Sequence, residues 1–146
     1  MQRSVLLGEF EFTLDAKNRV AIPARLRPAF VEGVVLTRYY ESCLAAFPPQ
    51  QWDDFVAERM GDLPATTAEG RERRRFLFGA AVADELDRQG RITVPGNLLG
   101  YAGLGRDVTI IGVHDHVEVW DRGAYADYRK HMEEGADAAA DQLARQ

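Results

Sequence analysis

The chain writes nearly the same ten residues twice: LDAKNRVAIP over Leu14–Pro23 and LDRQGRITVP over Leu86–Pro95, 72 positions apart. The shared skeleton is Leu-Asp, three variable residues, Arg, a triplet that starts and ends apolar, then Pro. A fixed internal period marks a repeated structural unit, so the fold must be one that two copies of a short unit can build. With one residue inserted the correspondence continues, and Val34–Phe55 lies over Asp107–Tyr128. Phe47 then meets Trp120, Trp52 meets Tyr125, and Phe55 meets Tyr128. Each half reads β-turn-β, short helix, β-turn-β, helix.

In GEFEFTL, Phe10, Phe12 and Leu14 alternate with Glu9, Glu11 and Thr13, the period of a half-buried strand. Asp15 and Asp87 open turns, because a carboxylate at that position accepts backbone amides further along the turn. Asn18 and Gly90 fill the slot that needs positive φ, where Asn and Gly are the comfortable residues. Pro23 and Pro95 end the strands that follow, since Pro cannot donate to a ladder. PPQQWDDFVAERM predicts a helix with Trp52, Phe55, Val56 and Met60 on one face. TTAEGRERRRFLFGAA predicts a second helix, capped by Thr66 or Thr67. The organisation expected is a first half over 5–64, a linking helix over 65–78, a second half over 79–130, and a frayed or disordered tail over 131–146. The tail is Ala/Asp-rich with little to bury.

One compact domain is the default at 146 residues. No apolar run approaches the roughly 20 residues needed to cross a bilayer. MQRSVLLGEF has neither the apolar run nor the cleavage site of a secretory signal. Cys43 stands alone, which excludes an internal disulfide, fits a reducing cytoplasm and reads as a buried filler. The net charge of -5 argues at first against a nucleic-acid partner. Its distribution says otherwise: 1–38 hold six basic against four acidic residues, and 71–106 hold seven against four. These two positive blocks contain the repeated decapeptides, and local field decides where an anion docks.

The candidate chemistry follows from that coincidence. A turn of this length brings Asp15 close to Arg19 and Asp87 close to Arg91. A single such pair reads as a turn-stabilising ion pair worth under roughly 1 kcal/mol. Two pairs with the same flanks, each in a positive block, favour arginines that reach outward to phosphate or a guanine edge. Lys17, Arg25, Arg27 and Arg88 support them. Arg outnumbers Lys sixteen to two, a bias that suits forked recognition and that a GC-rich genome also produces. Arg71, Arg73, Arg74 and Arg75 fit a solvated linker or a partner-facing ion-pair surface better than a DNA contact. His114 and His116 lack a third ligand at useful spacing, so HDH reads as a polar loop and no metal is expected. No nucleophile motif, P-loop or dinucleotide fingerprint is present, and neither an enzyme nor a cofactor is expected.

LGEFEFTLDAKNRVAIPARLR, ELDRQGRITVPGNLLGYAGLGRDVTIIGVHDHVEVWD and the paired D-x-x-x-R motifs together resemble the MraZ family of the SpoVT–AbrB superfamily, over about residues 5–130. The resemblance implies a mainly β, α+β fold: a swapped-hairpin β-barrel that two halves close within one chain. It implies a DNA-binding transcriptional regulator, cytoplasmic and nucleoid-associated. Such a protein would form a ring-shaped homo-oligomer, commonly an octamer, on direct repeats of double-stranded DNA in its own promoter. It would repress an operon for cell division and wall synthesis. Carried onto this chain, the DNA-facing loop is Asp15–Arg19, with Lys17 and Arg19 the best contact candidates, and Asp87–Arg91 matches the pattern as a loop that either touches DNA or shapes the barrel. With the supporting basic residues, the expected DNA-binding set is Asp15, Lys17, Arg19, Arg25, Arg27, Asp87, Arg88 and Arg91. The alternative is an oligomeric interaction module that does not bind DNA.

Overall fold

Alternating apolar residues make Leu6–Thr13 a strand, β1, in the computed structural model, which describes residues 5–145. After the Asp15 turn comes the short strand β2 (Arg19–Ala21). A 3-10 helical turn (Ala24–Phe30) leads to β3 (Val34–Tyr39), β4 (Cys43–Phe47) and helix α1 (Pro49–Arg59). Helix α2 (Ala68–Phe78) links the halves, with the Thr67 hydroxyl accepting from the Gly70 amide at its N-cap. The second half repeats the order: β5 (Val82–Asp84), β6 (Arg91–Thr93), α3 (Gly96–Ala102), β7 (Asp107–His114), β8 (Val117–Asp121) and α4 (Arg122–Ala144).

Strand pairing is antiparallel throughout and crosses between the halves. The large sheet has the order β1-β7-β8-β4-β3-β5, and β2 pairs with β6 in a separate ribbon. Under the sequence repeat β1 corresponds to β5, β7 to β3 and β8 to β4, so this order reads the same from both ends. β1 of the first half pairs with β7 of the second, while β5 pairs back onto β3. The halves have exchanged strands. At the centre Leu44 faces Val119 and Ala46 faces Val117, placing a pseudo-two-fold axis through Ala45 and Glu118. The ribbon is symmetric in the same way, with Val20 opposite Ile92 on its axis.

Two expectations are corrected here. The ladders form an open six-stranded sheet plus the ribbon, and no closed barrel is formed by them. Pro23 and Pro95 follow soon after β2 and β6, and strands three residues long are too short to carry a ladder around to the free edges of β1 and β5. The segments flanking each Asp turn are also not hairpin partners. Asp15 N–H donates to Arg19 C=O at 2.9 Å, and then β1 leaves for β7 and β2 for β6. Turn chemistry specifies the corner without specifying which strand each arm will meet.

The main core lies between ribbon and sheet. Val20, Ile22, Ile92 and Val94 from the ribbon segments pack with Leu36, Leu44, Ile110 and Val119 from the sheet. A second cluster (Phe47, Phe55, Leu63, Leu77) sits beneath α1 and α2, and a third (Cys43, Trp120, Tyr125) beneath α4. Cys43 is fully buried, and burial pushes its thiol well above the ordinary range. Met60 lies just past the end of α1 and is 38% exposed, so it does not complete the apolar face expected of that helix. Beyond Gly135, where composition predicts a frayed or disordered tail, α4 continues to Ala144 with every residue from Arg129 exposed. Five alanines in this stretch supply the helical propensity that burial does not. Gln146 lies outside the described residues.

Candidate nucleic-acid interface

Each corner is built around one carboxylate. Asp15 Oδ1 accepts the backbone N–H groups of Lys17 and Arg19, both at 2.9 Å, and Oδ2 accepts Arg19 Nε at 2.7 Å. Asp87 repeats the pattern: Gln89 and Arg91 amides at 2.9 Å on Oδ1, and Arg91 Nε at 2.8 Å on Oδ2. The backbone bond from Arg19 is the largest cause holding the Asp15 carboxyl down at about 2, and the bond from Arg91 lowers Asp87 likewise. Asn18 (φ 59) and Gly90 (φ 74) take the left-handed slot in each turn, as the turn chemistry requires.

The register decides where the arginines lie. In the β2–β6 ribbon Arg19 stands opposite Thr93 and Arg91 opposite Ala21. Residues opposite each other or two apart share a face. Arg19, Ala21, Arg91 and Thr93 therefore form one face, while Val20 and Ile92 point into the core. The two corners also touch, with Arg91 Nη1 lying 3.5 Å from Asp15 Oδ2. Neither arginine is extended into solvent. Their side chains are 29% and 25% exposed, with the Nε edge committed to the carboxylate. Each Asp grips the Nε edge of its own guanidinium, and Asp15 also meets the η edge of Arg91.

Lys17 and Arg88 are exposed in the turns themselves, and Arg25 is exposed on the 3-10 turn that follows β2. Arg27 is half-buried and donates Nε to Ile22 C=O at 2.8 Å. Arg106 was not singled out from the sequence. It is exposed, its carbonyl accepts the Leu14 amide, and its Nη1 reaches Leu14 C=O at 3.3 Å. It has no arginine counterpart in the first half, so the repeat gave no signal for it; only its place in a positive block could have.

The other candidates belong elsewhere. Arg71 donates to Ala65 C=O, Arg74 to Leu63 C=O, and Arg73 pairs with Glu69 at 2.7 Å, so this run ties α2 to its own approach loop. Arg38 reaches the Phe76 and Arg75 carbonyls and fastens the end of the same helix to β3. The two histidines of HDH separate: His114 is exposed at φ 89, whereas His116 is buried, with Nδ1 2.7 Å from Asp115 and its ring stacked on Phe47. Among the described residues no group of three or more His, Cys, Asp or Glu side chains could hold a metal ion. No helix there is long and apolar enough to cross a membrane.

Fold and site together define a duplicated, strand-exchanged α+β protein that presents a pseudo-symmetric pair of carboxylate-braced arginines on one ribbon. The model of a family described as "MraZ protein, putative antitoxin-like" matches the chain twice, over residues 5–75 and 77–146. The chain is 41% identical over 140 residues to the "Transcriptional regulator MraZ" of Roseiflexus castenholzii, covering 96% of this chain and 97% of that one. Its similarity to the protein of the same name in Desulfitobacterium hafniense is 38% over 139 residues, covering 95% and 96%. The chain belongs to the MraZ family, as its paired motifs led one to expect, and that family is non-enzymatic.

Proposed function

We propose that the chain is a DNA-binding transcriptional regulator whose contact surface is the outer face of the β2–β6 ribbon with its two corners. The observation that carries this reading is the convergence of Arg19 and Arg91 on one face of a chain whose net charge is -5. Lys17 and Arg88 lie in the two Asp turns, Arg25 and Arg27 follow β2 on the 3-10 turn, and relatives that share nearly the whole chain are named transcriptional regulators. In this reading Arg19, Arg91, Lys17 and Arg88 contact phosphate or base edges, while Asp15 and Asp87 orient the arginines. A guanidinium braced along one edge keeps two donors for a forked contact and loses little rotamer freedom on binding.

One ribbon offers few phosphate contacts, so the reading includes an assembly. A ring-shaped homo-oligomer, an octamer in the form expected, would present the same ribbon to successive direct repeats and gain avidity through effective concentration. Head-to-tail neighbours in a ring repeat by rotation, which suits direct repeats in the chain's own promoter. Repression of a division and wall-synthesis operon and a cytoplasmic, nucleoid-associated location complete the reading.

The test is a mobility shift with the DNA immediately upstream of the coding sequence. The double variant Arg19→Ala with Arg91→Ala should lose binding with circular dichroism and oligomer mass unchanged. Parental affinity should fall roughly 10³–10⁵ between 50 and 200 mM salt if about 6–10 phosphates are neutralised. Undiminished binding by the double variant would remove the ribbon from the interface. A parent with no affinity for this DNA would favour the oligomeric interaction module instead.

A further inference from the structure

The ribbon's backbone obeys its pseudo-two-fold axis, and its cations do not. Under the 72-residue repeat Lys17 corresponds to Gln89, Arg88 to Ala16, Arg25 to Asn97 and Arg27 to Leu99. Apart from the braced pair, no cation of the face has a cationic counterpart. Arg27 is the most firmly placed of them. Its Nε holds Ile22 C=O at 2.8 Å, and the Ile22 amide in turn donates to Gly90 C=O at 2.8 Å. The guanidinium lies across Gly90 so closely that a Cβ there would come within 2.2 Å of Nε and 2.7 Å of Cζ. Gly90 is buried beneath it, whereas its counterpart Asn18 is exposed. Gly90 is thus needed twice, for positive φ and to admit the arginine. Among the described residues the η edge of Arg27 makes no bond, and it shares a shallow hollow with Glu85, Asp87 and Arg88.

We propose that Arg27 is a specificity-determining residue of the DNA-binding face: seated on Gly90, it makes the second corner a different reader from the first and gives the ribbon a direction along double-stranded DNA. The inference rests on the DNA-binding reading above. A ribbon with matched corners would bind equally well in either orientation and would suit a palindromic step. A ribbon with an extra fixed cation at one corner binds a non-palindromic element one way round, which tandem direct repeats require of each successive subunit.

Orientation can be read by affinity cleavage. Ala24 is exposed and Cys43 is fully buried, so Ala24→Cys in the full chain takes an iron-EDTA tag selectively. On the upstream duplex the tagged parent should cut one flank of each bound element. Arg27→Leu, which installs the counterpart residue, should add cutting at the second flank, with orientation preference reduced about tenfold, the scale of one base-reading or phosphate contact. Any preference that remains belongs to Lys17, Arg25 and Arg88. Arg27→Gln retains a donor for Ile22 C=O and should reduce the preference equally, which separates the cation from any structural effect of leucine. Both variants should lower the salt slope by about 1. Retention of one-sided cleavage by both variants, or two-sided cleavage by the parent, would overturn the proposal. Absence of any parental binding would overturn the DNA reading itself.

Discussion

Asp15 shows how much a single side chain settles at a corner. It takes two backbone amides on one oxygen and a guanidinium on the other, and all three bonds need the carboxylate ionised. Its folded value of about 2 lies below the ordinary 3.8. The stabilisation it contributes is therefore fully present above about pH 4 and is lost as pH falls from 3.8 toward 2. Asp15→Asn should melt below the parent at pH 6, with the gap narrowing under pH 4 and closing near pH 2. A gap independent of pH in that window would place the effect in something other than charge. The role of the aspartate and the positive φ of Asn18 and Gly90 were legible from turn chemistry alone. The aim of Arg19 and Arg91 was not, because residue spacing says that Asp and Arg are close but not which guanidinium edge the carboxylate occupies.

Elements of three residues would not stand alone, and the β2–β6 ribbon stands because its axis residues are buried. Val20 and Ile92 are 0% and 2% exposed and press into the main core from above the sheet. Ile92→Ala should cost about 2–5 kcal/mol in urea unfolding and weaken DNA binding by loosening the ribbon that aligns both arginines. At the other extreme, among the described residues α4 has nothing buried after Tyr125 and no side-chain bond to other elements after the 2.8 Å pair of Arg129 with Glu9. Helical hydrogen bonds without tertiary packing are marginal in so short a segment. Amides of residues 133–144 should exchange with deuterium far faster than those of 122–130; equal protection along the helix would show that a partner covers it. The helices α1 and α2 were readable from their apolar spacing and from Thr67, while the length of α4 was not, since composition alone weighs burial and leaves alanine propensity out.

At the scale of the whole molecule the charge pattern and the fold agree. The acidic blocks 39–70 and 107–146 supply β4, α1, β7, β8 and α4, while the two positive blocks meet in the ribbon. Strand exchange brings them together, because β2 and β6 come from different halves yet form one surface. In the ring reading, native mass spectrometry should give one dominant multiple of the 16.3 kDa chain. Affinity for a DNA with several repeats should then exceed that for one repeat by 10²–10⁴. Equal affinity for both would show that each ribbon binds alone and that avidity plays no part.

The duplication, the two Asp-opened corners, the strand ends at proline and the family itself were all carried by local sequence, because each depends on residues a few positions apart or on a motif that recurs whole. Tertiary structure alone decided which strands pair, that the sheet stays open, and that Arg27 crosses to the other repeat's glycine. Those outcomes are set by contacts between residues far apart in the chain, from Leu36 with Val82 to Leu6 with His114. There the choice among partners belongs to how two halves jointly bury one core, and neither half specifies it by itself.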